Sequence, residues 1–154
     1  MIRVQEQDFD VGREIEKLKS GNHEIGAIVT FTGTVRSHDE PDALASMHLE
    51  HYPGMTENEL KRIEAEAQER WPLQASLIIH RYGTLYPGDN IVLVVTASKH
   101  RGAAFESAEF LMDYLKTNAP FWKKEMRESG ESWVEERASD QDSEERWKQS
   151  GVAE

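Results

Sequence analysis

The stretch Ala75–Ala97, ASLIIHRYGTLYPGDNIVLVVTA, is where the fold first becomes readable. Two apolar, β-branched runs, Ala75 to Arg81 and Ile91 to Ala97, flank Tyr86-Pro87-Gly88-Asp89. Proline presets φ in a turn and glycine accepts the positive φ that follows, so this tetrad predicts a turn and the runs predict a strand pair, a hairpin. Downstream, Phe105, Ala108, Leu111, Met112 and Leu115 recur at helical spacing. They predict a long helix beginning near Arg101, with those side chains inward, and ending where Pro120 disfavours helix at Ala119. Upstream, Thr56 and Glu59 match a T-x-x-E capping box after Pro53-Gly54, and Leu60, Ile63, Ala67 and Trp71 form one apolar stripe that Pro72 stops.

Further toward the N-terminus, Leu44 to His51 alternates like a half-exposed strand, and Ser37 to Asp42 reads as a polar loop. Ile25 to Val35, β-branched and nearly uncharged, predicts a buried strand. A short strand over Ile2 to Val4 and a helix near Val11 to Leu18, closed by Gly21, complete the order. Strands and helices interleave, with a hairpin among them. The expected class is α+β, helices packed on a mainly antiparallel or mixed sheet. One domain is expected over residues 1–137, with an acidic, flexible tail over 138–154; ahead of that tail, Trp133 and Val134 offer a short docked strand.

Composition narrows the function. The formal net charge is -11, which argues against a general nucleic-acid binder, because neutralising phosphates needs a basic face. No apolar run approaches the roughly 20 residues that cross a bilayer, so no membrane partner is expected. The start MIRVQEQDFD lacks the features of a secretory signal, and the chain holds no cysteine. A cytoplasmic location is expected, without disulfides, cysteine nucleophiles or thiolate metal sites.

Against that acidity, Lys116 to Arg127 carries four basic residues and one acidic one. Lys116 and Lys123 stand on either side of Ala119-Pro120 among Tyr114, Leu115, Phe121 and Trp122. Cations set against apolar surface have an anion to meet or a proton to move, or they snorkel with their charge in water. Lys99-His100-Arg101 lies at the expected start of the long helix, where backbone donors favour an anion. Thr34-Val35-Arg36 ends an uncharged strand with an arginine. His48 and His51, with Glu50 between them, invite a metal reading, but strand alternation sends His48 and Glu50 to one face and His51 to the other. No metal or cofactor is expected. His80-Arg81 closes a strand and reads as structural. Motifs for a nucleophile elbow, a P-loop or a dinucleotide fold are missing from the sequence.

Four segments together resemble the large subunit of molybdopterin synthase: FTGTVR (Phe31 to Arg36), LEHYPGMTE (Leu49 to Glu57), HRYGTLYPGD (His80 to Asp89) and SKHRGAAFESAEFLMDYLKTNAPFWKKE (Ser98 to Glu125). The resemblance runs in unbroken order from about Phe31 to Arg137. It implies an α/β hammerhead fold, a homodimer of large subunits within a heterotetramer, and a small ubiquitin-like sulfur-carrier subunit bearing a C-terminal Gly-Gly thiocarboxylate. It also implies sulfur transfer to cyclic pyranopterin monophosphate, twice, to give the dithiolene of molybdopterin. Carried over by position, the implied substrate contacts are Thr34, Val35, Arg36, His100, Arg101, Lys116, Lys123, Lys124 and Glu125, with Lys116 and Lys123 the central catalytic pair. Arg137 matches a position that reaches the neighbouring subunit's pocket.

Residue chemistry and resemblance agree on one expectation: Arg36, His100, Arg101, Lys116 and Lys123 gather into one positively charged cavity that receives two anions. Two other readings fit the same residues. One is a non-catalytic module whose basic cleft docks a partner's carboxylate tail; the other is an enzyme using a Schiff-base lysine on another phosphorylated heterocycle.

Overall fold

A computed structural model describes residues 1–37, 43–127, 129–134 and 145–148. In chain order the elements are β1 (Ile2–Gln5), α1 (Val11–Lys19), β2 (Ala27–Thr34), β3 (Leu44–His51), α2 (Met55–Arg70), β4 (Leu73–Arg81), β5 (Gly83–Leu85), β6 (Asn90–Ser98), α3 (Arg101–Thr117), β7 (Phe121–Arg127) and β8 (Gly130–Trp133). They build two four-stranded sheets, ordered β1-β4-β6-β2 and β5-β3-β7-β8. In the first, β1 runs parallel to β4 and the other pairs are antiparallel; the second is antiparallel throughout. The fold is α+β, as the interleaved pattern predicts.

The uninterrupted apolar runs of β4 and β6 follow from burial on both faces. Ile78, Val92 and Val94 pack under Leu60, Ile63 and Ala67 of α2 and Phe110, Leu111, Tyr114 and Leu115 of α3. Leu77, Ile79, Leu93 and Val95 pack on the opposite face, against Val11 and Leu18 of α1. β4 and β6 pair as expected, but their connection is more than a turn. Gly83–Leu85 leaves the first sheet and pairs with Met47–Leu49 of β3, so the chain stitches the two sheets together before turning back at Tyr86–Asp89. There Asp89 N donates to Tyr86 O at 2.9 Å, and Gly88 holds φ at 93°.

Three expectations need correction. The Ile25–Val35 strand is not buried: β2 is the outer strand of its sheet and Phe31 is 41% exposed. An uncharged, β-branched run marks a strand without saying how many neighbours cover it. Thr56 does not cap α2. Gly54 holds the N-cap and its N–H donates to Glu57 Oε2 at 2.6 Å, while Glu59 pairs with Arg62 one turn on. Phe105 points outward, 60% exposed; the inward face of α3 is set by Ala104, Ser107, Phe110, Leu111 and Tyr114.

The expected loop at Ser37–Asp42 falls mainly outside the described residues, as does most of the acidic tail. Within the tail, Glu145 to Lys148 form a helical turn. Trp147 rests edge-on to Trp71 and Phe110, its indole N–H donates to Asp113, and Arg70 Nη1 donates to its carbonyl at 3.2 Å. Burial raises the Asp113 carboxyl pKa, with the indole N–H and Arg146 opposing the shift. Trp133 lies in β8, an exposed strand paired with β7. No helix among the described residues is long and apolar enough to cross a membrane.

Candidate active site

The register of the first sheet decides which cationic residues meet. β2 and β6 run antiparallel, pairing Ala27 with Ser98 at one end and Thr34 with Asn90 at the other. Nine residues of strand put those ends about 26 Å apart. α3 begins beside Ser98 and runs back along the sheet for 17 residues, about 25 Å, to Lys116 in its last turn. His100 and Arg101 therefore lie at one end of the molecule, and Lys116 at the other. Within one chain the five side chains do not form a single cavity.

The first cluster is the start of α3. Gly26, Ala27, Lys99, His100, Arg101 and Gly102 line a cleft of about 500 Å³. His100 is the N-cap residue but makes no side-chain cap bond, which leaves the first-turn N–H groups to the cleft. Ser98 holds the turn: its hydroxyl donates to His100 O at 2.5 Å and accepts from His100 N at 3.1 Å. Gly26 is required by close approach, since a Cβ there would meet Lys99 O at 2.3 Å. Lys99 itself pairs with Glu24 at 3.2 Å, leaving Arg101 as the cation, beside His100, toward an incoming anion.

The second cluster lies at the far end. Asn118 N donates to Tyr114 O at 2.8 Å, the helix stops, and Ala119-Pro120 carries the chain into β7. Pairing of β7 with β3 sets Phe121 opposite His51, Lys123 opposite Leu49 and Glu125 opposite Met47. Leu49 is 1% exposed, so Lys123 and Glu125 share the inner face of the second sheet. Lys124 takes the outer face, paired with Glu131 at 2.5 Å and lying over the Trp133 ring. Glu125 accepts from Arg127 Nε at 3.0 Å. Alternation thus separates Lys124 from Lys123 and Glu125, its neighbours in sequence.

Thr34-Val35-Arg36 ends β2 at this second end. Thr34 and Arg36 are exposed, but Val35 is 2% exposed and belongs to the core with Leu44, Met47, Leu49 and Leu85. Both its backbone groups are spent on the Tyr86–Asp89 turn: Val35 N donates to Asp89 O and Gly88 N to Val35 O, each at 2.8 Å. Val35 fixes the direction of Arg36. Arg137 lies outside the described residues.

His80, read from sequence as a structural strand-end residue, stands beside the lysines. Its ring stacks on Phe121 with centroids 3.7 Å apart and planes at 19°. His51 joins from β3, 5.8 Å from Phe121 and 4.5 Å from Tyr82. Burial first, then the charges of Lys123, Lys116 and His51, push the His80 pKa from 6.5 down to about 4. Nδ1 lies 2.8 Å from Arg81 O, which only accepts, so Nδ1 carries the proton of the neutral ring. His80 is half-buried; Lys116 is exposed rather than pressed against Phe121 and Trp122. The sequence signal for His80 was its place two residues after Ile78, on the face that α2 and α3 cover.

The histidine pair divides as alternation requires. His48 Nε2 lies 3.5 Å from Glu50, while His51 Nδ1 meets Thr56 Oγ1 at 3.1 Å on the other face. No group of three acidic or histidine side chains able to hold a metal ion occurs among the described residues.

Known proteins are similar to this chain in sequence and fold. A molybdopterin synthase catalytic subunit from Mesorhizobium japonicum is 57% identical over 151 residues, 97% of this chain and 94% of that protein. A solved structure, the molybdopterin biosynthesis MoaE protein from Burkholderia ambifaria, is 52% identical and superposes with a TM-score of 0.81, covering 96% of this chain and 97% of that one. At 20% identity and a TM-score of 0.73, over 88% of this chain and 91% of that one, the fold recurs in a protein–protein complex of subunits 1 and 2 of molybdopterin-converting factor from Helicobacter pylori. The family model described as MoaE protein matches residues 4–118, and the chain belongs to that family.

Proposed function

We propose that this chain is the catalytic subunit of a molybdopterin synthase. A small sulfur-carrier subunit presents a C-terminal thiocarboxylate, and its sulfur is transferred to cyclic pyranopterin monophosphate in two rounds, which makes the chain a sulfurtransferase. The relatives' names and the complex seen for the Helicobacter pylori protein support this reading. The observation that carries it is that the charges of Lys116, from the end of α3, and Lys123, on the inner face of β7, both act on His80. In a chain of net charge -11, two lysines acting on one histidine make a local positive field that draws an anion.

The chemistry uses that field. A thiocarboxylate and a phosphorylated pterin repel one another, and two ammonium groups offset the repulsion. As the thiocarboxylate sulfur adds to a pterin carbon and oxygen departs, a lysine neutralises the charge that develops and passes a proton to the leaving oxygen; water then hydrolyses the resulting thioester, which leaves sulfur on the pterin and a carboxylate on the small subunit. Arg36, at the same end, anchors the substrate electrostatically.

His100 and Arg101 act in the same reaction from a second copy. Roughly 25 Å separates them from Lys116 along α3, a span that one tricyclic pterin phosphate does not bridge. A two-fold homodimer that sets the α3 start of one chain against the lysine end of its partner completes each pocket, and one small subunit on each large subunit gives a heterotetramer.

Reconstitution with thiocarboxylated small subunit and the pterin precursor tests the reading. Formation of the dithiolene product is the expected result. A stable complex that makes no product would identify a docking module instead, and a borohydride-trapped substrate adduct would identify a Schiff-base enzyme.

A further inference from the structure

The two lysines stand on different sheets' elements, and something must fix their separation. α3, with Lys116, packs on β4 and β6 of the first sheet, while Lys123 belongs to the second sheet. Between them the chain runs through Asn118-Ala119-Pro120, a short turn in which Phe121 N donates to Ala119 O at 2.8 Å. A backbone turn of this length orients the strand only loosely. The side chain at the strand's first position does more. Phe121 stacks face to face on His80, which is on the first sheet, and Phe121 and Lys123 share one face of β7 two residues apart. The stack therefore ties the sheet that carries α3 to the strand that carries Lys123.

Resting on the synthase reading above, we propose that His80 is the positioning residue for Lys123: its ring, fixed by the Arg81 carbonyl, seats Phe121 and so sets where Lys123 stands relative to Lys116. A flat ring is needed for this and a charged one is not. The groups that face His80 are Lys116 from α3, Lys123 from β7, His51 from β3 and the Arg81 carbonyl from its own strand. Three of the four are cationic or become so on protonation, and burial keeps His80 neutral among them. An aliphatic residue would lose the stack, and a lysine or arginine would add charge to the site.

The test uses the complete synthase, large and small subunits together, with wild type, His80→Ala, His80→Phe and Phe121→Leu. His80→Ala is expected to lower kcat about 30-fold while leaving the pterin KM within about threefold, because misplacing a catalytic group by about 1 Å costs on the order of 100-fold in the chemical step. His80→Phe keeps a ring against Phe121 and is expected to restore kcat to within about threefold of wild type. Phe121→Leu nearly conserves volume but removes the stack from the other side, and is expected to reproduce the His80→Ala loss. Wild-type kcat in either His80→Ala or Phe121→Leu would overturn the proposal. So would a His80→Phe enzyme as slow as His80→Ala, which would assign the role to a ring nitrogen. If His80→Ala does not fold, Phe121→Leu decides alone. A wild-type complex that makes no dithiolene would remove the synthase reading itself, whereas an active wild type with indifferent variants removes this proposal only.

Discussion

The two ends of the first sheet are both cationic, yet they are built in opposite ways. At the start of α3 the positive field comes from backbone N–H groups and Arg101, beside His100, where Gly26 lets the chain before β2 approach the backbone of Lys99 closely. At the other end it comes from two lysine side chains placed by a helix terminus and a strand of a different sheet, around a neutral histidine. A site made from backbone donors suits holding a phosphate, which does not change during the reaction. Groups at the ends of long side chains suit charge that appears and disappears. On the reading proposed above, binding and chemistry are separated along one chain and a second copy reunites them.

The largest expected effect is at the lysine end. Lys116→Ala and Lys123→Ala should each lower sulfur transfer by at least about 100-fold, while thermal unfolding and small-subunit affinity stay as in wild type. Product assays under saturating substrate check this, and an active double variant would remove both residues from the mechanism. At the α3 start the pattern should invert: Arg101→Ala is expected to raise the pterin KM about tenfold with kcat within about threefold, the cost of one charge-assisted anchor. Arg36→Ala, an anchor at the lysine end, should likewise weaken pterin binding about tenfold; unchanged affinity would count against its assignment.

Smaller effects sharpen the contrast. Gly26→Ala drives a Cβ to within 2.3 Å of Lys99 O and should cost about 2 kcal/mol of stability while weakening pterin binding, with kcat little changed. Denaturant titration and binding isotherms on one preparation separate the two. His80 supplies a pH signature at the opposite end. Its folded-state pKa, about 4, lies below the ordinary 6.5, so between those values the folded chain binds fewer protons than the unfolded one. Stability should therefore fall as pH drops from 6.5 to 4, by about 3 kcal/mol from this group, and His80→Phe should flatten that part of the curve.

Much of this was legible in the residues. The β4 and β6 runs, the Pro87-Gly88 turn and the α3 stripe report short-range constraints, and each appears close to where its pattern placed it. What stayed hidden depends on neighbours distant in sequence. The exposure of Phe31 follows from β2 lying at a sheet edge, and the outward turn of Phe105 from Phe110 taking the core. His80 meets Phe121 across 41 positions of chain, a contact that no local pattern records. In the acidic C-terminal segment, charge masked one anchor, Trp147, which Trp71, Phe110 and Asp113 hold. The candidate cations were all visible; their division between two ends was not, because it depends on the antiparallel register of β2 and β6.

That division is tested most directly by complementation. Lys123→Ala chains, nearly inactive, and Arg101→Ala chains, at about a tenth of wild-type activity when pterin is well below the wild-type KM, are mixed, allowed to exchange subunits and assayed with small subunit and precursor. If each pocket joins the lysines of one chain to the α3 start of the other, half of the dimers are mixed and each carries one intact pocket, so activity should recover to about one quarter of wild type. A mixture no more active than the average of its parents would mean that each chain works alone, and would contradict a shared site.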